Sequence, residues 1–302
     1  PPYANASILP MDPLLQSRLM ASKDSARLQC AFTVDVEDWY QSSVDFDAPI
    51  SERVLRNMER VLRLLDDQHV KATFFIQGMV AEAYPSLLRD LLAEGHEIQS
   101  HGYSHRPLYG MDRAALREEL QRARESVEDA CGARVTAFRA PDFSILEDNL
   151  WALETLAETG FEVDSSIFPV RMPRYGIAGT PLHPHRRLLS NGATMIEAPV
   201  AVWQWGALTL PVAGGGYFRL LPLPVLRRAF KSLMKRGQPV IIYCHPYEFN
   251  PGELEEFRGR VPDRFLTSQG LGRASFIQRM HSLLEEFSFG RMDSVLSRER
   301  IE

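Results

Sequence analysis

Apolar and polar positions follow two patterns along this chain. Short segments rich in strand-forming residues are typical of buried strands, and apolar residues that recur every three or four positions are typical of amphipathic helices. Residues 30–36 are rich in residues that favour strands, which predicts a strand there. Over 51–67 the apolar positions recur every three or four residues, which predicts a helix with Ser51 as its N-cap. The same order recurs three more times, with strands at 72–76, 96–100 and 135–139 and helices at 80–93, 113–130 and 149–159.

Repeated strand–helix units predict an α/β fold, because crossover helices connect parallel neighbouring strands. The number of units favours a closed or nearly closed barrel, in which functional side chains lie at the carboxyl ends of the strands. The order breaks between 161 and 216, where two alternating runs, 194–200 and 202–210, predict an inserted β-hairpin region. The remaining predicted elements are a helix at 224–236, a strand at 239–244 and a last helix at 274–287.

The start of the chain differs in composition from the rest. Prolines among small polar residues predict an N-terminal extension at 1–28. Residues 29–302 are then expected to form one catalytic barrel with a C-terminal helical elaboration, since a single α/β barrel domain of this length is ordinary.

Charge and composition exclude several partners. The formal net charge is -5 and the Lys and Arg residues are scattered, so we expect no nucleic-acid partner. No apolar run approaches the roughly 20 residues of a membrane-spanning helix, and the chain start lacks the features of a signal peptide. With three cysteines, an odd number typical of free thiols, these features predict a soluble protein of a reducing cytoplasm.

Candidate metal ligands stand at two predicted strand ends. His101 and His105 lie four residues apart directly after a predicted strand, and neutral imidazole is a common metal ligand. Asp35, Glu37 and Asp38 follow the first strand. In an extended strand Asp35 and Glu37 face the same side, so Glu37 can complete the site, whereas Asp38 qualifies only where the strand ends or bulges. Both carboxylates remain candidates for the third ligand.

Five strand-end segments together resemble the motifs of one family. In chain order they are 33–38, 101–105, 138–142, 164–166 and 242–246, with the histidine pair, Arg-Ala-Pro at 139–141 and the late His245 as the most specific features. This order resembles the polysaccharide deacetylases, also called NodB-homology or carbohydrate esterase family 4 proteins. The segments 214–219 and 245–248 further resemble the subgroup associated with bacterial exopolysaccharide and exosortase loci.

The resemblance implies a distorted (β/α) barrel of about seven strands with one divalent metal. Zn²⁺ suits imidazole and carboxylate ligands, and Fe, Co, Ni and Mn are alternatives. The metal is expected to polarise an amide carbonyl and to activate water. The family's ligand set then corresponds to His101, His105 and either Glu37 or Asp38.

The resemblance also implies the roles of the other motif residues. Asp35 is expected to act as general base and Arg139 to keep it ionised and oriented. The backbone N–H of Asp142 is the expected second oxyanion donor. His245 is expected to protonate the departing amine, and Asp164 to tune this histidine.

Two aromatic residues are further candidates for substrate contact, namely Tyr103, within the histidine segment, and Trp205. Trp203 and Trp205 share one face of a predicted strand, which suits stacking on a sugar ring or burial under the hairpin.

These expectations combine into a hypothesis for function. The chain is expected to be a bacterial metal-dependent hydrolase that removes N-acetyl groups from an N-acetylated sugar or polysaccharide, in the cytoplasm or at the inner face of the membrane. One alternative keeps the fold but hydrolyses another amide, such as an N-formyl sugar, a cyclic imide or a ureide. A second is a non-catalytic carbohydrate-binding protein. Which sugar is used, the metal and the oligomeric state are left open by the sequence.

Overall fold

A nine-stranded sheet runs through the centre of the computed structural model, which describes residues 29–206, 208–299 and 301. The predicted N-terminal extension, 1–28, lies outside the described residues. The strands of the sheet are β1 Cys30–Val36, β2 Thr73–Ile76, β3 Glu97–Ser100, β4 Ala137–Phe138, β5 Val163–Asp164, β6 His185–Leu188, β7 Thr194–Glu197, β10 Val240–Cys244 and β11 Phe289–Gly290. A separate two-stranded sheet pairs β8 Val202–Trp205 with β9 Leu208–Pro211.

Seven strands of the large sheet are parallel, in the order β10-β1-β2-β3-β4-β5-β7, and β6 joins β7 antiparallel. The short β11 pairs with the start of β1. In the described part of the chain, β7 and β10 do not pair as strands, so the barrel is not closed by a continuous sheet. Between β7 and β10, isolated hydrogen bonds bridge the gap: the Ala201 N–H donates to the Ile241 carbonyl and the Tyr243 N–H to the Ala213 carbonyl, both at 2.8 Å. The predicted α/β fold with a distorted barrel of about seven strands is therefore confirmed, with its strand ring open.

Helices surround this sheet. They are α1 Trp39–Ser43, α2 Arg53–Asp67, α3 Gly78–Ala83, α4 Pro85–Ala93, α5 Arg113–Cys131, α6 Ala152–Glu158, α7 Gly215–Leu220, α8 Leu223–Lys235, α9 Asp263–Gly270, α10 Phe276–Glu286 and α11 Met292–Leu296. Within the described part of the chain, none of these helices combines the length and the apolar character that crossing a bilayer requires.

Two predictions about helices are wrong in detail. The single helix predicted at 80–93 is two helices, α3 and α4, separated at Tyr84 (φ −135°, ψ 61°). Pro85 explains the break, because a proline disfavours helical backbone in the residue before it. Ser51 does not cap α2; its N–H and its hydroxyl instead donate to the Asp38 carboxylate.

The predicted inserted β-hairpin region is present, but 194–200 and 202–210 do not pair with each other. β7 belongs to the barrel wall, where it pairs with β5 and with β6. The second run folds back on itself as the β8–β9 hairpin, with its turn at Gly206 (φ 61°). The alternation of apolar and polar residues could not assign these strand partners, because every half-buried strand alternates in the same way.

Candidate active site

The carboxyl ends of the parallel strands meet at one cavity. Its volume is about 530 Å³, and β1, β3, β4 and β10 lead polar residues to it. The polar residues that line it include Asp35, Glu37, His101, His105, Asp142 and His245. Aromatic side chains form much of the remaining wall, namely Phe46, Tyr109, Phe143, Tyr175, Tyr243, Tyr247 and Phe265.

Glu37, His101 and His105 form a compact, buried cluster. One ligand atom from each lies within 4.8 Å of the others. Glu37 Oε2 is 3.5 Å from His101 Nε2 and also contacts His105 Nε2. The loop after β3 turns at Gly102, whose φ of 73° suits glycine, and this brings both imidazoles to the carboxylate.

The proton positions in the cluster suit a cation. His101 Nδ1 lies 2.9 Å from the Arg139 carbonyl oxygen, which can only accept, so Nδ1 carries the proton and the Nε2 lone pair faces Glu37. Among the described residues, neither Glu37 Oε2 nor His105 Nδ1 has a hydrogen-bond partner, although Oε2 lies against the Nε2 atoms of both imidazoles. A buried carboxylate with two imidazoles is a donor set that divalent metals prefer. The residues therefore fit the metal that the sequence predicts.

The pKa shifts of Glu37 and His105 also favour a bound cation. Burial would raise the pKa of Glu37, but His105 and His101 hold it well below its usual range. Burial would lower the pKa of His105, but the Glu37 carboxylate raises it. A cation binding here would displace the imidazole proton, so metal affinity would rise with pH.

The structure does not bring Asp38 to the histidines. Its carboxylate caps α1 by accepting from the Tyr40 N–H at 2.9 Å, and it accepts from the Ser51 N–H at 2.9 Å. Glu37, by contrast, accepts from the Ser42 hydroxyl at 3.1 Å through Oε1 and turns Oε2 to the imidazoles. Of the two candidates for the third ligand, only Glu37 is in position.

Arg139 lies fully buried beneath the cavity and binds Asp35. Its Nη1 donates to Asp35 Oδ1 at 2.8 Å and to Thr33 Oγ1 at 2.6 Å, and its Nη2 donates to Ser165 Oγ at 2.9 Å. The Phe75 ring lies 4.2 Å from the guanidinium carbon. The structure thus brings Arg139 and Asp35 together in a direct hydrogen bond.

His245 has a carboxylate partner that the sequence reasoning missed. Glu248 Oε2 lies 3.2 Å from His245 Nδ1 and accepts from the His245 backbone N–H at 3.1 Å. Burial would lower the pKa of His245, but Glu248, with smaller effects of Glu37 and Asp35, raises it to about 9. The three-residue spacing from His245 was the available signal for Glu248.

Glu248 is itself held in place. Arg219, on α7, lies 3.2 Å from its Oε1. The glycine run at 214–216 leads into α7, and a Cβ on Gly215 would overlap the Glu248 carboxylate. These glycines therefore allow the helix to approach the histidine's partner closely.

Asp164 was expected to tune His245, but the structure does not bring the two residues together. Asp164 lies beside Glu197 in the register of β5 and β7, and it accepts from the Ser166 hydroxyl and N–H. Burial, and next the Asp164 carboxylate, raise the pKa of Glu197 well above its usual range. Burial raises the pKa of Asp164 as well, and the pair lies within the sheet rather than at His245.

Two other predicted substrate contacts lie outside the cavity. Tyr103 packs against Gly78, and its hydroxyl donates to Glu82 at 2.8 Å. Trp205 stands at the exposed end of the β8–β9 hairpin. Asp142 does line the cavity, in left-handed backbone (φ 54°), and its carboxylate lies 3.7 Å from Arg174 at the rim.

Two family profiles match consecutive stretches of the chain. Residues 45–162 match the profile described as polysaccharide deacetylase. The chain carries a polysaccharide deacetylase domain. Residues 165–297 match a profile described as a domain of unknown function, DUF3473, in agreement with the exopolysaccharide-associated subgroup that the sequence resembles. The resemblance to the deacetylase family is thereby confirmed.

Named relatives are similar over part of their length. The peptidoglycan-N-acetylglucosamine deacetylase of Bacillus cereus is 34% identical over 96 residues, which cover 32% of this chain and 35% of that protein. The chitooligosaccharide deacetylase of Sinorhizobium fredii is 34% identical over 119 residues, covering 39% of this chain and 54% of that protein. The chain thus spans about half the length, or less, of these curated relatives.

A solved structure supports the fold. A Mycobacterium smegmatis protein provisionally described as a polysaccharide deacetylase superposes with a TM-score of 0.58 at 20% identity, covering 90% of this chain and 91% of that chain. At this identity the likeness concerns the deacetylase fold alone.

The deacetylase domain and the second matched stretch share one sheet and one cavity. β10, from the second stretch, pairs with β1, which precedes both. His101, His105 and Arg139 come from the deacetylase match, whereas His245 and Glu248 come from the DUF3473 match. Neither matched stretch contains the whole site.

The raised pKa of Glu197 predicts a pH dependence of stability. Because its folded pKa is raised, the folded chain binds more protons than the unfolded chain above the ordinary value of 4.5, so this carboxyl makes the free energy of unfolding fall as pH rises. Glu197→Gln keeps the shape and a donor to Asp164, and should remove up to about 1.4 kcal/mol per pH unit of that fall.

Urea unfolding of both chains across about pH 5 to 8 measures this difference. The exposed neighbour Glu162→Gln is the matched control and should follow the parent chain. If the free energy of unfolding changes with pH equally in the parent and in Glu197→Gln, Glu197 is ionised in the folded state and the prediction is wrong.

The Glu248 contact predicts the titration of His245. In metal-free protein, Glu248→Gln should lower the pKa of His245 from about 9 toward or below its ordinary 6.5, because the charge is lost while the side-chain acceptor stays. NMR of the imidazole follows this directly. Asp164→Asn should leave the His245 titration in place; a shift in that variant, with none in Glu248→Gln, would reverse the assignment of partners.

Proposed function

We propose that the chain is a metal-dependent hydrolase that removes N-acetyl groups from an N-acetylated sugar or polysaccharide. The observation that carries this proposal is the buried Glu37–His101–His105 cluster in the same cavity as Asp35 and His245. The deacetylase profile and the names of the relatives support the reaction class.

The metal would be held by His101 and His105 through imidazole nitrogens and by Glu37 through Oε2. When bound, a divalent cation supplies a Lewis acid that polarises the acetyl carbonyl and lowers the pKa of water. Imidazole and carboxylate donors suit Zn²⁺, with Fe, Co, Ni and Mn as alternatives. Asp38 has no part in this set, because its oxygens are used at the start of α1 and at Ser51.

Asp35 is positioned to act as the general base. Arg139 Nη1 binds its Oδ1, which fixes the carboxylate at the cavity floor and leaves Oδ2 for the proton of the attacking water. Since Arg139 also donates to Thr33 through Nη1 and to Ser165 through Nη2, the base is held in one orientation before substrate arrives.

His245 is positioned to act as the general acid. Glu248 raises the pKa of His245, which favours the imidazole with both ring nitrogens protonated, and the Nδ1 proton is bound by Glu248. The Nε2 proton is then available to the departing sugar amine. The backbone N–H of Asp142, in the cavity wall, is the proposed donor to the developing oxyanion.

The wall of the cavity favours a carbohydrate substrate. Tyr109, Tyr175, Tyr243, Tyr247 and Phe265 present ring surfaces that suit the apolar faces of sugar rings. The subgroup to which the second matched stretch points favours an exopolysaccharide, or its precursor, as the acetylated substrate of a bacterial enzyme acting in the cytoplasm or at the inner face of the membrane.

Metal removal tests the mechanism. Chelation should abolish acetate release from an N-acetylated oligosaccharide panel, and Zn²⁺ or Co²⁺ added back should restore it, because the carbonyl is otherwise unpolarised. Mass spectrometry of the products distinguishes acetate from formate and from ring opening. A fully demetallated protein that keeps its rate would refute the proposal, and formate or a ring-opened product would assign the site to another amide.

Single variants distinguish Glu37, the proposed third metal ligand, from the neighbouring carboxylates Asp35 and Asp38. Glu37→Gln should lose the metal by elemental analysis, whereas Asp38→Asn should keep it. Asp35→Asn should keep the metal and lose about 100- to 10,000-fold in kcat, the usual contribution of a general base. Metal loss in Asp38→Asn but not in Glu37→Gln would contradict the assignment of ligands.

A further inference from the structure

One long stretch of the chain has a charge opposite to the rest. Residues 198–247 contain no Asp or Glu, although the chain as a whole carries a net charge of -5. The charged side chains of this stretch, His excepted, are Arg219, Arg227, Arg228, Lys231, Lys235 and Arg236. All but Arg219 lie on α8 or directly after it.

α8 turns several of these cations to solvent. Its buried face is apolar, formed by Leu226, Ala229, Phe230 and Leu233. Arg228, Lys231 and Lys235 are exposed and recur at helical spacing, so they share one face. Lys231 pairs with Glu286, but Arg228, Lys235 and Arg236 form no ion pair with any residue in the described ranges.

The β8–β9 hairpin adds an apolar tip beside this face. Trp205 and Leu208 are cross-strand partners and are 59% and 54% exposed. The Arg228 guanidinium lies 5.5 Å from the centre of the Trp205 ring, and Arg236 donates to the Gln204 carbonyl at 3.2 Å. These contacts join the hairpin tip and the basic helix face into one surface.

We propose that this surface, formed by Trp205, Leu208, Arg228, Lys235 and Arg236, docks on an anionic phospholipid bilayer. Indole and leucine side chains enter the boundary between headgroups and acyl chains, and adjacent Lys and Arg side chains bind anionic headgroups. The proposal goes beyond the hydrolase activity, because none of these residues lines the cavity.

A sugar polymer fits this surface less well. Stacking on a sugar ring needs an open aromatic face, whereas the Trp205 ring already has Trp203 parallel to it at 5.8 Å and the Arg228 guanidinium over it. Arg228, Lys235 and Arg236 form no ion pair within the described ranges. Anionic headgroups can pair with these cations, whereas a neutral sugar cannot.

Vesicle sedimentation tests the proposal with the full chain. The protein should pellet with vesicles of equal parts phosphatidylcholine and phosphatidylglycerol, should not pellet with phosphatidylcholine alone, and should be released by salt. The double variant Trp205→Ser/Leu208→Ser should lose binding. Arg228→Gln/Arg236→Gln should weaken it about fivefold for each charge removed.

Matched controls lie elsewhere on the surface. Leu188→Ser removes a 76% exposed leucine of β6, and Arg134→Gln removes an exposed cation that pairs with Glu162; both should bind like the parent chain. Circular dichroism checks that all variants fold. Failure to pellet with the mixed vesicles, or equal pelleting of the parent and the Trp205→Ser/Leu208→Ser chain, would overturn the proposal.

Two further readouts separate the outcomes. Quenching of tryptophan fluorescence by a chitooligosaccharide that is lost in the Trp205→Ser/Leu208→Ser chain, without pelleting of the parent, would assign the surface to a sugar and also overturn the proposal. Acetate release from a water-soluble oligosaccharide should be the same in the parent and the hairpin variants, so that loss of vesicle binding is distinguishable from failure of the hydrolase.

Discussion

Arg139 is the residue on which the geometry of the cavity depends. Its guanidinium orients Asp35 from β1, and its backbone carbonyl fixes the proton of His101 after β3. One position after β4 therefore sets both the proposed base and one proposed metal ligand. A buried guanidinium without a partner would cost on the order of several kcal/mol, and Asp35, Thr33, Ser165 and the Phe75 ring offset this cost. Loss of either charge would leave the other uncompensated.

The parallel order of the strands makes this arrangement possible. β10 lies beside β1 although about 200 residues separate them along the chain, so His245 reaches the cavity that Glu37 lines. The deacetylase match ends before β5, and the stretch matched by DUF3473 completes the wall and supplies His245, Glu248 and Arg219. The second stretch is thus part of the architecture of this cavity rather than an appendage.

Local pattern predicted most of the strands and the histidine pair, because burial and spacing are properties of short segments. The alternation of Asp35 and Glu37 anticipated the residue that faces the imidazoles. Long-range partners could not be read in this way: Asp164 lies opposite Glu197, and Tyr103 turns toward Glu82. Such contacts depend on which strands and helices become neighbours. The sequence analysis also missed several short elements, because a few residues show too little periodicity to be recognised. These elements are α1, α9, β11 and α11.

The central claim is that Glu37, His101 and His105 together hold one divalent ion in front of Asp35. The most direct test is a crystal structure of the metal-loaded protein with anomalous data collected at the metal edge. The account predicts one strong peak at about 2.0–2.2 Å from an imidazole nitrogen of each histidine and from a Glu37 oxygen. A peak bound by Asp38 in place of Glu37, or no peak in the cavity of a fully loaded and active protein, would contradict it.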